Sequence, residues 1–200
     1  MHDFETRKEA QRSQLYSAVA FSNWLKDQTI EIANCNLTFT EGYRFANPAY
    51  GPLTVVGSIG DGGRFNIGGS QLDPNFSDLT KEGALYLAST EKCAIEEAAK
   101  PIGKHQLYKL VSNAPLKIWD IEKVIESLHF PNLLQSARAD HGERIWGYLK
   151  VPTVSQILVS KLRKISGDGA ALKSVRIDSA LNYCLFFKDD EDVKSKLKVV

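Results

Sequence analysis

From Asn47 to Gly69 the chain is broken by Asn47-Pro48, Gly51-Pro52, Gly57, Gly60, Gly62-Gly63 and Gly68-Gly69. This punctuation constrains the fold more than any other feature. Proline fixes φ and lacks an N–H, and glycine opens backbone conformations closed to other residues, so no long helix or strand runs through such a stretch. Short elements must gather around a loop. A loop this rich in Gly and Pro is either structureless or functional. Here it brackets arginines and aromatics, Arg44, Phe45, Arg64 and Phe65, which favours function.

The rest of the chain supplies short elements. Residues from about Phe4 to Ile32 read as helix. Leu15, Val19, Ser22 and Leu25 follow a three-to-four spacing, and Ala18, Phe21 and Trp24 thicken the face. Leu37 to Phe45 alternates weakly and reads as strand. Ala84 to Ala88 is a short apolar strand, and Thr90 is placed to cap a helix from Glu91 to about Lys100, ended by Pro101. Tyr108–Val111 and Lys117–Trp119 read as two short strands. Asp120 caps a helix from Ile121 to Leu128. A further helix runs from about Thr153 to Ile165, with Gly167 just past its end. Tyr183 to Phe187 reads as the last strand, and the charged tail from Asp189 to Val200 as frayed. Without regular βαβ alternation, this order predicts an α+β fold with a mostly antiparallel sheet.

Composition narrows the function. The 200 residues suit one domain, and 43% hydrophobic with 24% charged residues is enough for a real core. The 25 basic and 24 acidic side chains give a net charge of +1, which argues against direct nucleic-acid binding. Cys35, Cys93 and Cys184 form no CxxC pair; they read as buried small hydrophobes in a reducing compartment, the cytosol. The polar start, Met1 to Lys8, shows no Sec signal, and no apolar run approaches the ~20 residues of a membrane span. Delivery by a machine that needs no signal peptide remains compatible with this. His2, His105, His129 and His141 lack metal-site spacing and read as structural or surface residues.

Four segments carry chemistry. In Tyr43-Arg44-Phe45 an arginine ends a strand and opens the loop, where a guanidinium can fork onto a diphosphate. Gly62 to Gly69 contains Gly-Gly-Arg64-Phe65-Asn66. It has neither the strand–turn–helix context of a dinucleotide fingerprint nor the Lys-Ser/Thr of a phosphate loop. Tyr86 stands in the centre of an apolar strand, followed by Ala94-Ile95-Glu96-Glu97 on a helix, where one glutamate can face a pocket while the other faces water. Ser174, in Ser174-Val175-Arg176, opens or joins a strand ahead of Asn182-Tyr183-Cys184-Leu185-Phe186; no Gly-x-Ser-x-Gly elbow surrounds it. Each segment alone also fits a plainer role: a salt-bridged arginine, a turn, solvated glutamates.

Taken in order, these segments resemble the RES domain family, named for an arginine, a glutamate and a serine. The resemblance covers about Thr40 to Lys188, is most specific from Gly62 to Glu97, and extends to Trp146, Pro152-Thr153 and Gln156. The helix up to about Ile32, the stretch Ser70–Glu82 and the segment Pro101–Arg144 depart from the pattern. The division implied is an N-terminal helical extension, 1–36, and a RES domain, 37–200.

The resemblance implies an ADP-ribosyltransferase-like fold: α+β, with mostly antiparallel sheets and flanking helices. It implies a toxin that consumes NAD by hydrolysis or phosphorolysis, paired with an Xre-type antitoxin or an immunity protein, with NAD as substrate, no metal and no membrane. On this match the catalytic residues are Glu97, Arg44 and Tyr86, and NAD is held by Arg44, Arg64, Tyr86, Asn66 and Ser174. Glu97 would stabilise positive charge on the ribose, the arginines would hold the diphosphate, Tyr86 would pack on a flat ring, and Ser174 would position the ribose or Arg44. Some protein-modifying transferases carry an acceptor glutamate two positions before the catalytic one. Here that position is Ile95, which favours a small acceptor. The alternatives are a mono-ADP-ribosyltransferase acting on a protein, a non-catalytic nucleotide- or partner-binding module, and an interaction protein docking through its N-terminal helix.

Overall fold

A computed structural model of the chain describes residues 17–30, 35–63, 65–68, 76, 79–98, 104–128 and 152–200. The described elements, in chain order, are helix α1 (17–26), β1 (Asn36–Ala46), α2 (Val56–Asp61), β2 (Gly83–Ala88), α3 (Glu91–Ala98), β3 (Gln106–Asp120), α4 (Ile121–Leu128), α5 (Val154–Ile165), β4 (Gly169–Lys173), β5 (Leu181–Phe187), α6 (Asp190–Lys196) and β6 (Leu197–Val199). The architecture is α+β.

Among the described residues the strands form one six-stranded sheet in the order β1-β2-β5-β4-β3-β6, and a further pairing of β1 with β3 closes the first five into a ring. Every pairing is antiparallel except β3 with β4. The strand period of two sorts the apolar side chains into two cores, one on each face. Ala84, Cys184, Phe186, Ala170, Leu172 and Trp119 join Phe21, Leu25, Val124, Leu158 and Leu162 of the helices. Leu85, Leu87, Leu185, Phe187, Ala171 and Ile118 point the other way, onto Phe39, Val193 and Leu197. A sheet covered on both faces needs apolar residues at successive positions, which is why β2 and β5 read as unbroken apolar runs.

Several boundaries follow from local chemistry. Thr153 caps α5 reciprocally with Gln156, the hydroxyl accepting from the Gln156 N–H while the Gln156 side chain accepts from the Thr153 N–H. Thr90 Oγ1 accepts from the Cys93 N–H at 3.2 Å, and Asp120 Oδ1 from Lys123 at 3.4 Å, opening α3 and α4. Gly167 follows α5 at φ +101°, where a Cβ would also strike the Trp119 indole. In α1, Ala18, Phe21 and Leu25 are buried; burying each of the two larger side chains stabilises the fold by ~2 kcal/mol. The expected helix begins at Phe4, and residues up to 16 lie outside those described.

The structure corrects four expectations. The loop after Asn47 contains α2 despite Gly57 and Gly60, because Asp190 Oδ1 accepts the Val55 N–H at 2.8 Å and Asn66 Nδ2 donates to the Ser58 carbonyl at 2.8 Å; tertiary contacts override weak helix propensity. The two short strands expected around 108–119 are one strand, β3. Pro115 is tolerated there because the register with β1 shifts between Phe39 and Glu41, leaving 112–115 without β1 partners. The expected frayed tail is ordered: Asp189 Oδ1 accepts from the Glu191 and Asp192 N–H groups, and Val193 and Leu197 are buried. Ser174 follows a strand, β4, that the sequence pattern did not separate from its surroundings.

Candidate active site

Glu97 is set by its position on α3. Cys93 and Ala94 pack against the sheet, and Glu97, one turn on, shares their face. Ile95 and Glu96 point outward. The glutamate pair therefore divides as its spacing predicts. The sheet supplies the partners. Tyr86, Ala88, Asn182 and Leu172 lie on the same face, with Ala88 opposite Asn182 and Asn182 opposite Leu172. Ser174, two residues beyond Leu172, continues that row. Ser174 Oγ donates to Glu97 Oε1 at 2.7 Å and Asn182 Nδ2 donates to the same oxygen at 2.9 Å. Arg176 Nε stands 3.7 Å from Oε2. The Glu97 side chain is 11% exposed and lines a cleft of about 1040 Å³.

The cleft is walled by the end of β1, the start of α2, the Gly-rich turn, β2, α3 and the residue ahead of β3. Arg44 lines it. Its Nη1 donates to the carbonyls of Pro52 at 2.7 Å and Thr54 at 3.1 Å, pinning the loop. Burial pushes the Arg44 pKa down to about 10, with Asp190 pulling it back, so the side chain is still a cation at neutral pH. The loop clamp is thus a cationic cleft wall as well. His105 and Phe45 stack on that wall at 5.5 Å between centroids, and Tyr50 stands 76% exposed at the rim.

Tyr86 organises the opposite wall. Its hydroxyl donates to Asn66 Oδ1 at 2.8 Å and accepts from the Phe65 N–H at 3.0 Å. Gly63 lies so close that a Cβ would collide with the Tyr86 hydroxyl and the Asn66 amide, which explains glycine there. Gln156 Nε2 donates to the Gly63 carbonyl and, at 3.0 Å, to that of Asn66.

The structure separates the sequence-assigned residues. Glu97, Arg44 and Tyr86 line one cleft. Ser174 touches Glu97 from outside the lining. Asn66, assigned to NAD, is fully buried beneath the turn. Its Nδ2 donates to the carbonyls of Ser58 and Glu82, and its Oδ1 accepts from Tyr86, so it shapes the turn from below. Arg64, His2, His129 and His141 lie outside the described residues. All three cysteines are buried thiols outside any disulfide, and burial pushes Cys184 up to about 12. Sequence reasoning gave no site role to Asn182 or Arg176, and read His105, which lines the cleft, as a structural or surface residue. An asparagine opposite Ala88 in an otherwise apolar strand was the available signal for the first. Among the described residues no helix is long and apolar enough to cross a membrane.

The sequence matches the RES domain family over residues 41–199. No curated protein sequence matches it. Among solved structures, it is similar in fold to a chain of the M. tuberculosis MbcT–MbcA toxin–antitoxin complex, with 14% identity, a TM-score of 0.54 and 83% of each chain covered.

Proposed function

The chain belongs to the RES domain family, and from that premise we propose that it is a toxin enzyme that breaks the nicotinamide–ribose bond of NAD. The observation that carries this reading is the Glu97 carboxyl, held by Ser174 and Asn182 at the wall of a cleft that Arg44 and Tyr86 also line. At about 1040 Å³ the cleft stands at the upper end of small-molecule sites, as a dinucleotide requires. The closed ring of mainly antiparallel strands supports an ADP-ribosyltransferase-like fold.

Loss of nicotinamide leaves positive charge on the ribose. Nicotinamide is cationic in NAD and departs neutral, taking the bonding pair, so no general acid is needed. Glu97 would accept a hydrogen bond from a ribose hydroxyl and stabilise the developing oxocarbenium charge. The Arg44 cation favours the diphosphate, and the cleft's aromatic rings suit flat heterocycles. Water adding to the ribose carbon gives ADP-ribose and releases a proton; phosphate adding there gives the phosphorylated product. Position 95, two residues before Glu97 and on the outer side of α3, is an exposed isoleucine with no carboxylate to orient a protein nucleophile, which supports a small acceptor.

The structural neighbour comes from a toxin–antitoxin complex. A cognate antitoxin, of Xre type, or an immunity protein is the corresponding partner, and cytosol the corresponding place of action. NAD labelled in its adenylate half tests the reaction. Free labelled ADP-ribose, or its phosphate, supports the reading. Label retained on protein would move the assignment to protein modification, and intact NAD would leave a binding module.

A further inference from the structure

Asn182 is a polar residue in a strand whose neighbours are apolar. It is 6% exposed, lies between Ala88 and Leu172 in the sheet, and lines the cleft. An amide buried there without partners would be destabilising. Its partners instead fix which way it points. Cys93 Sγ lies 3.5 Å from Oδ1 and Glu97 Oε1 lies 2.9 Å from Nδ2. A thiol donates through its S–H, and a carboxylate only accepts. The amide oxygen must therefore face Cys93 and the NH₂ must face Glu97. Cys93 is itself fully buried on the same face of α3 as Glu97. The helix that carries the carboxylate thus also carries the group that aims the amide at it.

We propose that Asn182 is a positioning residue for Glu97, which, with Ser174, holds Oε1 so that the ionised carboxylate is fixed in the cleft. This rests on the reading of Glu97 as the catalytic carboxylate. A hydrogen bond donated to the charged form favours that form. Ser174 can donate to or accept from a carboxyl, whereas the Asn182 NH₂ only donates. Asn182 therefore discriminates between the ionised and protonated states of Glu97, and its loss makes Glu97 harder to ionise. Among the described residues, the other titratable or charged groups near the carboxyl are Arg176 after β4, Cys93 on α3, and Arg44, Tyr43, Tyr86 and His105 around the cleft. Substitution at 182 leaves these groups in place and, of their hydrogen bonds described above, touches only that of the Cys93 thiol, which Asn182→Ala removes.

Two substitutions in the full chain separate positioning from packing. Asn182→Ala removes the donor. Asn182→Asp keeps the shape and sets a carboxylate against Glu97. The readouts are the acid limb of kcat/KM for NAD turnover and the titration of the Glu97 carboxyl carbon by NMR, assigned with Glu97→Gln. Both should move up by about one pH unit in Asn182→Ala and further in Asn182→Asp. Unchanged titration of Glu97 in both variants overturns the proposal, whatever the turnover. Displaced titration in a protein that never consumes NAD would keep Asn182 as the positioning residue and remove the NAD reading instead.

Discussion

Ser174 Oγ donates to Glu97 Oε1 at 2.7 Å, although the two residues stand 77 positions apart in the chain. Ser174 Oγ in turn accepts from the Arg176 N–H at 3.1 Å and the Ile177 N–H at 3.2 Å. The serine thus links the turn after β4 to the carboxyl on α3. Ser174→Ala should lower kcat for NAD by on the order of 10-fold to 100-fold and cost about 1 kcal/mol of stability. Steady-state kinetics beside urea unfolding checks both. Wild-type kcat would mean that Glu97 needs no anchor from this side.

Tyr86→Phe tests the Gly-rich wall. It removes the hydroxyl that joins Phe65 and Asn66 and leaves Asn66 Oδ1, fully buried, without that donor. The expected loss is about 1–3 kcal/mol, with a larger effect on KM than the ring's retained stacking surface would suggest. Thermal unfolding and NAD kinetics measure it. Unchanged stability would show that the turn holds without this bridge.

Glu82 predicts a pH effect on stability. It lies under the same turn, 7% exposed, with Ser160 Oγ donating to Oε1 at 2.8 Å and no hydrogen-bond donor at Oε2 among the described residues. Burial raises its pKa above the ordinary 4.5, opposed by Ser160, Arg163, the Ile67 backbone and Lys164. The folded chain therefore holds this proton more tightly than the unfolded chain. The corresponding stability is present at low pH and is lost as pH rises from about 4.5 through the raised folded value. Glu82→Gln should flatten that slope, so that stability at neutral pH falls less far below its low-pH value than in the wild type. Urea midpoints across the window test this; an unchanged slope would contradict it.

Much of this was readable in the sequence because the signals were local. Thr90 and Asp120 are caps, and their helices start where those side chains predict. Ala84 to Ala88 and Tyr183 to Phe187 are apolar because both faces of their strands are buried. The resemblance put Glu97 and Ser174 in one site but aimed Ser174 at the ribose or Arg44; its hydrogen bond to Glu97 was not foreseen, since nothing local joins residues so far apart. What the pattern did not give depends on distant partners. The helix α2 needs Asp190 and Asn66 to hold it. The tail needs β3 to pair with. Asn66 looked like a ligand group because a buried amide and an exposed one are identical in sequence; only the Ser58 and Glu82 carbonyls distinguish them.

The most direct test of the central claim is the NAD level in cells after induced expression, with wild type beside Glu97→Gln. Glutamine keeps an oxygen for Ser174 and Asn182 and removes the charge, so the fold should persist. The account predicts rapid NAD collapse with wild type and a rate at least ~100-fold lower with Glu97→Gln. Equal NAD loss in both, or steady NAD with soluble wild-type protein, would contradict it.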